Sequence, residues 1–202
     1  MTKLSILNLV PKYKDETKKE AFERAVKLAQ FADSRSFERY WVAEHHNSPG
    51  ILSSATEVVL THILGQTERI KVGAGGVMLP NHTPFQVAER YGTMEALFPY
   101  RVDLGIGRAP GTDMETSRIL YRDTYKQDKF LDAIRLMLKY FDGDASGLKS
   151  APYPGMGAGV PITILGSSMN SAYVAAELGL PYSFAGHFAP HTVKAAFDIY
   201  RD

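Results

Sequence analysis

The chain contains no cysteine, and that absence excludes disulfide staples, thiolate metal sites and thiol nucleophiles together. It has no charge excess either: 23 Lys and Arg stand against 22 Asp and Glu, a formal net charge of +1. Nothing in that balance offers a bulk electrostatic partner for nucleic acid or an anionic membrane, so neither is expected. No uncharged apolar run approaches the roughly 18 residues of a membrane-spanning helix. The opening Met1-Thr2-Lys3-Leu4 leads into an apolar run too short for a signal peptide. A cytoplasmic protein is the expectation. What is present is ordinary for a globular fold: 45% apolar residues, 22% charged, 17 glycines and 11 prolines over 202 residues. That length supports one core without staples.

The apolar pattern alternates between strand and helix periods. Strands are predicted near 4–9, 39–43, 70–74, 101–106, 162–165 and 181–185. Between them run helix faces: Phe22, Val26 and Ala29; Val59, Ile63 and Leu64; Val87, Tyr91, Met94 and Phe98; Phe130, Ile134, Met137 and Phe141; Ala172, Ala175 and Ala176; Val193, Ala196, Phe197 and Tyr200. Ser53, Ser54 and Thr56 are candidate caps for the second helix, and Pro84 suits the first turn of the third. Six β-then-α units argue for an all-parallel α/β sheet with helices outside. Such units form either a doubly wound sheet or a TIM-type (β/α)8 barrel. A barrel usually takes about 250 residues, so the six units of this single domain over 1–202 are part of a longer barrel, an arc whose edges a partner covers, or an open doubly wound sheet. The Gly/Pro-rich stretch 142–161 has no periodicity and reads as a mobile insertion within that domain.

In both folds ligands bind at the carboxyl ends of the strands, and four of these ends are chemically unusual. The second runs Glu44-His45-His46. Successive strand side chains alternate faces, so only one of the two histidines easily points into a barrel mouth, where an imidazole is an acid/base group; packing or capping is the alternative. A metal is not expected, because the His-Glu-x-x-His spacing is absent. The third end, Gly73-Ala74-Gly75-Gly76, strips side chains from a strand, which marks close approach of a flat ligand, a bulge or a tight bend. The fourth, Gly105-Ile106-Gly107-Arg108, fails as a dinucleotide fingerprint but offers Arg108 to an anion or to a surface ion pair. The fifth, Gly166-Ser167-Ser168 with Asn170 and Ser171, opens a helix as a phosphate cradle or a simple N-cap. A flat phosphorylated cofactor suits this inventory, with flavin mononucleotide (FMN) first by chemistry.

These strand ends resemble those of the bacterial luciferase-like flavin monooxygenases. The resemblance is carried by Tyr40-Trp41-Val42-Ala43-Glu44-His45-His46, by Val72 through Pro84, by Arg101 through Arg108, by Leu165-Gly166-Ser167-Ser168 and by Ala176 through Pro181. It runs the whole length of the chain, in order. It implies a (β/α)8 barrel that takes reduced FMN from a separate flavin reductase and uses it with O2 to oxidise a small aldehyde- or alkane-like substrate. His45 matches the family's active-site histidine, an acid/base or hydroperoxide-stabilising group. Ala74, Gly75 and Gly76 match the strand end that packs on the flavin ring and often carries a non-proline cis peptide. Arg108 matches a flavin-contacting arginine, and Gly166, Ser167 and Ser168 the phosphate loop. Relatives also use the deazaflavin F420, so F420 stands as the second cofactor. Family members continue beyond this chain, so the resemblance implies six of eight units in a C-terminally incomplete barrel domain over 1–202, and a non-catalytic flavin-binding protein or a barrel relic is the competing class. A homodimer is expected through the helices containing Ile63 and Tyr91, whose apolar faces look broader than one stripe.

Overall fold

The computed structural model describes residues 2–120 and 127–201. Six strands, β1 (Ser5–Asn8), β2 (Arg39–Val42), β3 (Lys71–Met78), β4 (Val102–Gly107), β5 (Ile162–Gly166) and β6 (Tyr182–Phe184), form one sheet in the order β1-β2-β3-β4-β5-β6. Every neighbouring pair is parallel. That sequential order decides between the two candidate architectures. A doubly wound sheet reverses its strand order at a switch point, whereas consecutive right-handed crossovers put all helices on one face of a barrel wall.

The helices are α1 (Lys18–Ser34), α2 (Thr56–Leu64), α3 (Pro84–Leu97), α4 (Met114–Leu120), α5 (Gln127–Asp142), α6 (Met169–Leu178) and α7 (Val193–Arg201). Helix α1 opens with a reciprocal capping box between Thr17 and Glu20. Helix α3 opens with Thr83 as N-cap, and Pro84 stands in its first turn, where the sequence predicts it. The start of α2 differs from expectation. Its N-cap is Ala55, with no side-chain cap. Ser53 Oγ instead donates to the Ala43 carbonyl at 2.6 Å, and Thr56 Oγ1 donates to Ser53 O. A hydroxyl under the end of β2 is worth more as a strand-to-loop tie than as an exposed cap, because that carbonyl has no ladder partner to satisfy it.

Register sorts the strand residues into two faces. Tyr40, Val72 and Val102 align in one row and Val42, Ala74, Leu104 and Ile162 in the next. All of these are buried and belong to the core between sheet and helices. The alternate row, Leu7, Trp41, Gly73 and Asp103, lines the concave face. Arg39, on the same face, donates from Nε to Asp103 Oδ2 at 2.7 Å. Beyond Asp142, the last residue of α5, the 142–161 stretch contains no helix or strand. Its Gly157 and Gly159 amides donate to the carbonyls of Tyr140 and Phe141, which closes the free end of α5.

The breadth of the apolar faces on α2 and α3 has an internal cause. Ile63 and Tyr91 are 1% and 0% exposed within a single chain. These helices pack on the sheet and on one another, and α3 also packs on α5. The apolar residues they leave outside are Val58 and Leu97, 71% and 60% exposed. No described helix is long and apolar enough to cross a membrane.

Candidate active site

The carboxyl ends of β2, β3 and β4 are drawn together by one carboxylate. Glu44 follows β2 at the same parity as Tyr40 and Val42, so it turns toward the buried face, where a charge needs partners. It has four. Met78 N–H donates to Oε2 at 2.8 Å and Asn81 Nδ2 to Oε1 at 3.0 Å. His46 Nε2 lies 2.7 Å from Oε1 and His82 Nε2 lies 2.9 Å from Oε2. Burial pushes the Glu44 carboxyl up, but the hydrogen bonds from His46, His82 and Asn81 prevail and hold it at about 2. With Nε2 donating to Glu44, His82 Nδ1 is left to accept from Arg90 Nη1 at 3.5 Å, and Arg90 pairs with Glu57 at 3.1 Å.

The same cluster reaches β4. Asn81 Nδ2 also donates to Pro110 O at 3.0 Å. His46 N–H donates to Gly111 O at 2.9 Å. Asn47 Nδ2 donates to Asp113 Oδ2 at 2.8 Å. Bonds from the Thr116 amide, Asn47 and the Thr116 hydroxyl keep the Asp113 carboxyl well below the usual range. Sequence reading passed over Glu44, Asn81 and His82 as individual residues. The signal that finds Glu44 is strand parity, since an acidic side chain continuing the Tyr40–Val42 face must be buried and bonded.

His45 takes the opposite parity, on the side of Trp41, and among the described residues it makes no hydrogen bond. Next to it, Glu44 N–H donates to Gly76 O at 3.3 Å. The Gly75–Gly76 peptide is cis and sits where β3 slips register against β4 between Ala74 and Val77. A Cβ on Gly75 would stand 2.8 Å from Trp41 and 2.9 Å from Leu7. One on Gly76 would stand 2.5 Å from Leu165 and 2.8 Å from the Gly105 carbonyl. The absent side chains are therefore demanded by protein neighbours, and bare backbone is what remains at this strand end. Ala74 differs from its neighbours: its methyl is buried in the helix-facing core, so only its backbone belongs to this side.

At β4 and β5 a second group of polar residues gathers. Arg108, exposed just past β4, makes no ion pair among the described residues. It lines a cleft of about 310 Å³ together with Phe130, Arg135 and Asn170. Arg135 is committed to Glu177, 2.7 Å away on α6. Ser168 is the N-cap of α6, yet its hydroxyl makes no cap bond. Ser167 and Ser168 are exposed, and among the described residues neither hydroxyl has a partner. Gly166 serves a neighbour: a Cβ there would run into Ser171 Oγ. His45 at β2 and the serines at β5 are three strand intervals apart, roughly 14 Å along the arc. The structure thus brings His45 beside Gly75 and Gly76, and Arg108 beside the α6 N-terminus.

Comparison with known proteins gives the family. The model of the luciferase-like monooxygenase family matches residues 3–202. The uncharacterized protein YvbT of Bacillus subtilis (strain 168) is 46% identical over 203 residues, covering 100% of this chain and 60% of its own length. A luciferase-like monooxygenase of Escherichia coli (strain K12) is 43% identical over 198 residues, covering 98% of this chain and 59% of its own. The crystal structure of apo-MsnO8 superposes with a TM-score of 0.93 at 37% identity, over 100% of this chain and 60% of the other. The chain spans about three-fifths of the length of the curated relatives it matches. It belongs to the luciferase-like monooxygenase family.

Proposed function

We propose that this chain is the flavin-binding part of a monooxygenase that uses reduced FMN and O2 to oxidise a small organic substrate, aldehyde- or alkane-like. The observation that carries the reading is the spacing of two groups on one rim. At β2 and β3 lies a glycine strand end beside an imidazole that makes no hydrogen bond among the described residues. At β4 and β5 lie an arginine and two serine hydroxyls that have no partner among the described residues. The interval of roughly 14 Å between them suits a flat ring joined to a phosphate by an extended chain. The donor set suits the phosphate, because serine hydroxyls, first-turn amides of α6 and a guanidinium are its ordinary partners. The bare backbone at Gly75 and Gly76 suits the ring.

Reduced FMN, when bound, supplies the electrons with which O2 is activated and one oxygen atom is delivered to the substrate. The chain's own residues do the rest. Ser167, Ser168 and Arg108 hold the phosphate. Gly75 and Gly76 let the ring approach the strand, and Trp41 and Leu7 exclude water behind Gly75. His45 holds or moves a proton at an imidazole nitrogen facing the ring. Glu44 ties the strand end that carries His45 to β3 through the Met78 amide and holds His46 beside it. A separate flavin reductase supplies the reduced cofactor, and the protein works as a homodimer.

The test is a titration with FMN, and with F420 for comparison, of the wild-type chain and a Ser167→Ala/Ser168→Ala double variant. FMN binding that weakens about tenfold or more in the double variant supports the reading. Equal FMN affinity removes these serines from the phosphate site, and a preference for F420 replaces the cofactor.

A further inference from the structure

The β5–α6 turn is tied down by the neighbouring strand. Ser168 O accepts from Ser171 N–H at 3.2 Å and from Ser171 Oγ at 2.5 Å. Tyr182 OH, from β6, lies 3.0 Å from Ser171 Oγ and 3.4 Å from Ser168 O. A serine hydroxyl has one proton. With that proton given to Ser168 O, Ser171 Oγ is left as an acceptor, and Tyr182 is the donor that fills it. Gly166 leaves the space that Ser171 Oγ occupies. The Tyr182 ring is itself held by α7, with ring centroids 6.0 Å from Phe197 and 5.4 Å from Tyr200.

This bonding has a directional consequence. The Ser168–Met169 peptide is trans, and in a trans peptide the C=O and N–H point in opposite directions. Drawing Ser168 O toward Ser171 and Tyr182 aims Met169 N–H the other way, out of the α6 N-terminus, where no described residue accepts it. It also keeps the carbonyl oxygen of the turn, which would repel an anion, behind the donors.

We propose that Tyr182 is a positioning residue for the phosphate end of the flavin. Through Ser171 it fixes the Ser168 carbonyl and so turns the first amide of α6, with the Ser167 and Ser168 hydroxyls, toward the phosphate. This rests on the reading that the Ser167–Ser168 turn receives that phosphate.

FMN and riboflavin, which has the same ring and no phosphate, separate the two ideas. Each is titrated into wild type, Tyr182→Phe, Ser171→Ala, the Tyr182→Phe/Ser171→Ala pair and Ser167→Ala/Ser168→Ala, with a thermal melt on every variant. Tyr182→Phe keeps the packed ring and loses only the donor. The expected result is an FMN Kd raised about fivefold, the scale of one lost hydrogen bond, with riboflavin unchanged. The paired variant should be no weaker than Ser171→Ala alone, because Tyr182 acts through Ser171. If Tyr182→Phe changes neither ligand, or both equally, while the serine double variant selectively loses FMN, Tyr182 merely packs against α7 and the inference falls. A serine double variant that binds FMN like wild type, or a wild type that binds none, overturns the phosphate reading and the inference with it. Should Tyr182→Phe melt early, Ser171→Ala must show the FMN-selective loss by itself, or the inference fails.

Discussion

His46 Nε2 lies 2.7 Å from Glu44 Oε1, two residues along the same strand end. The pair leaves His45, between them, as the imidazole without a hydrogen-bond partner among the described residues. One histidine of the doublet is thereby consumed in holding a buried carboxylate, and the other makes no such bond. Parity makes the division, since residues two apart share a face and adjacent residues do not.

Glu44 makes stability depend on acid pH. Its folded-state pKa of about 2 lies below the ordinary value of 4.5. The unfolded chain therefore takes up the proton first as pH falls. The stabilisation is full above about pH 4.5 and is lost progressively as pH drops toward 2, amounting to about 3 kcal/mol. Urea unfolding of wild type and Glu44→Gln between pH 6 and pH 2.5 checks this. The gap between the two should narrow as pH falls, and a constant gap would count against an ionised Glu44.

His45→Ala should slow product formation by roughly 10²–10⁴-fold, the usual range for a lost acid/base group, while the FMN Kd changes little. Single-turnover mixing of the reduced holoenzyme with O2 and substrate measures it. Unchanged product rate and yield would return His45 to a structural role.

Gly76→Ala should destabilise more than Gly75→Ala. The added methyl at Gly76 meets the Gly105 backbone carbonyl as well as Leu165, whereas the atoms nearest to one at Gly75 belong to the side chains of Trp41 and Leu7. Backbone cannot rotate away, so an overpacking cost of about 1–3 kcal/mol is expected at Gly76. Paired thermal melts give the ranking, and the reverse order would show that the β3 bulge relaxes.

A homodimer through the outer faces of α2 and α3 should depend on Val58 and Leu97 rather than on Ile63 and Tyr91. Val58→Lys should lower the dimer fraction in sedimentation while leaving the melt unchanged. Ile63→Lys should instead unfold the chain, because Ile63 is core. A wild type that stays monomeric at high micromolar concentration would defeat the dimer.

Local pattern carried much of this. Alternating periods located all six strands to within a few residues, and Val26, Ala29, Ile134 and Met137 fell in the core as their helical spacing required. The carboxyl-end rule placed the candidate residues on one rim, because a parallel sheet must present all its strand ends together. Where spacing is local, sequence is enough.

Tertiary structure decided what depends on residues far apart in the chain. Strand order, which separates a barrel wall from a doubly wound sheet, follows from pairing between segments and is silent in any one of them. The partners of Glu44 come from positions 78, 81 and 82 as well as 46, so a buried charge could be inferred from parity but not its ligands. The space a side chain would take at Gly75 and Gly76 is claimed by Trp41, Leu7 and Leu165 on three other strands, which no local pattern reveals. Most of the apolar breadth of α2 and α3 is contact with sheet and sister helices, with Val58 and Leu97 left outside. Packing is a relation among distant residues, and only the folded chain brings them within reach of one another.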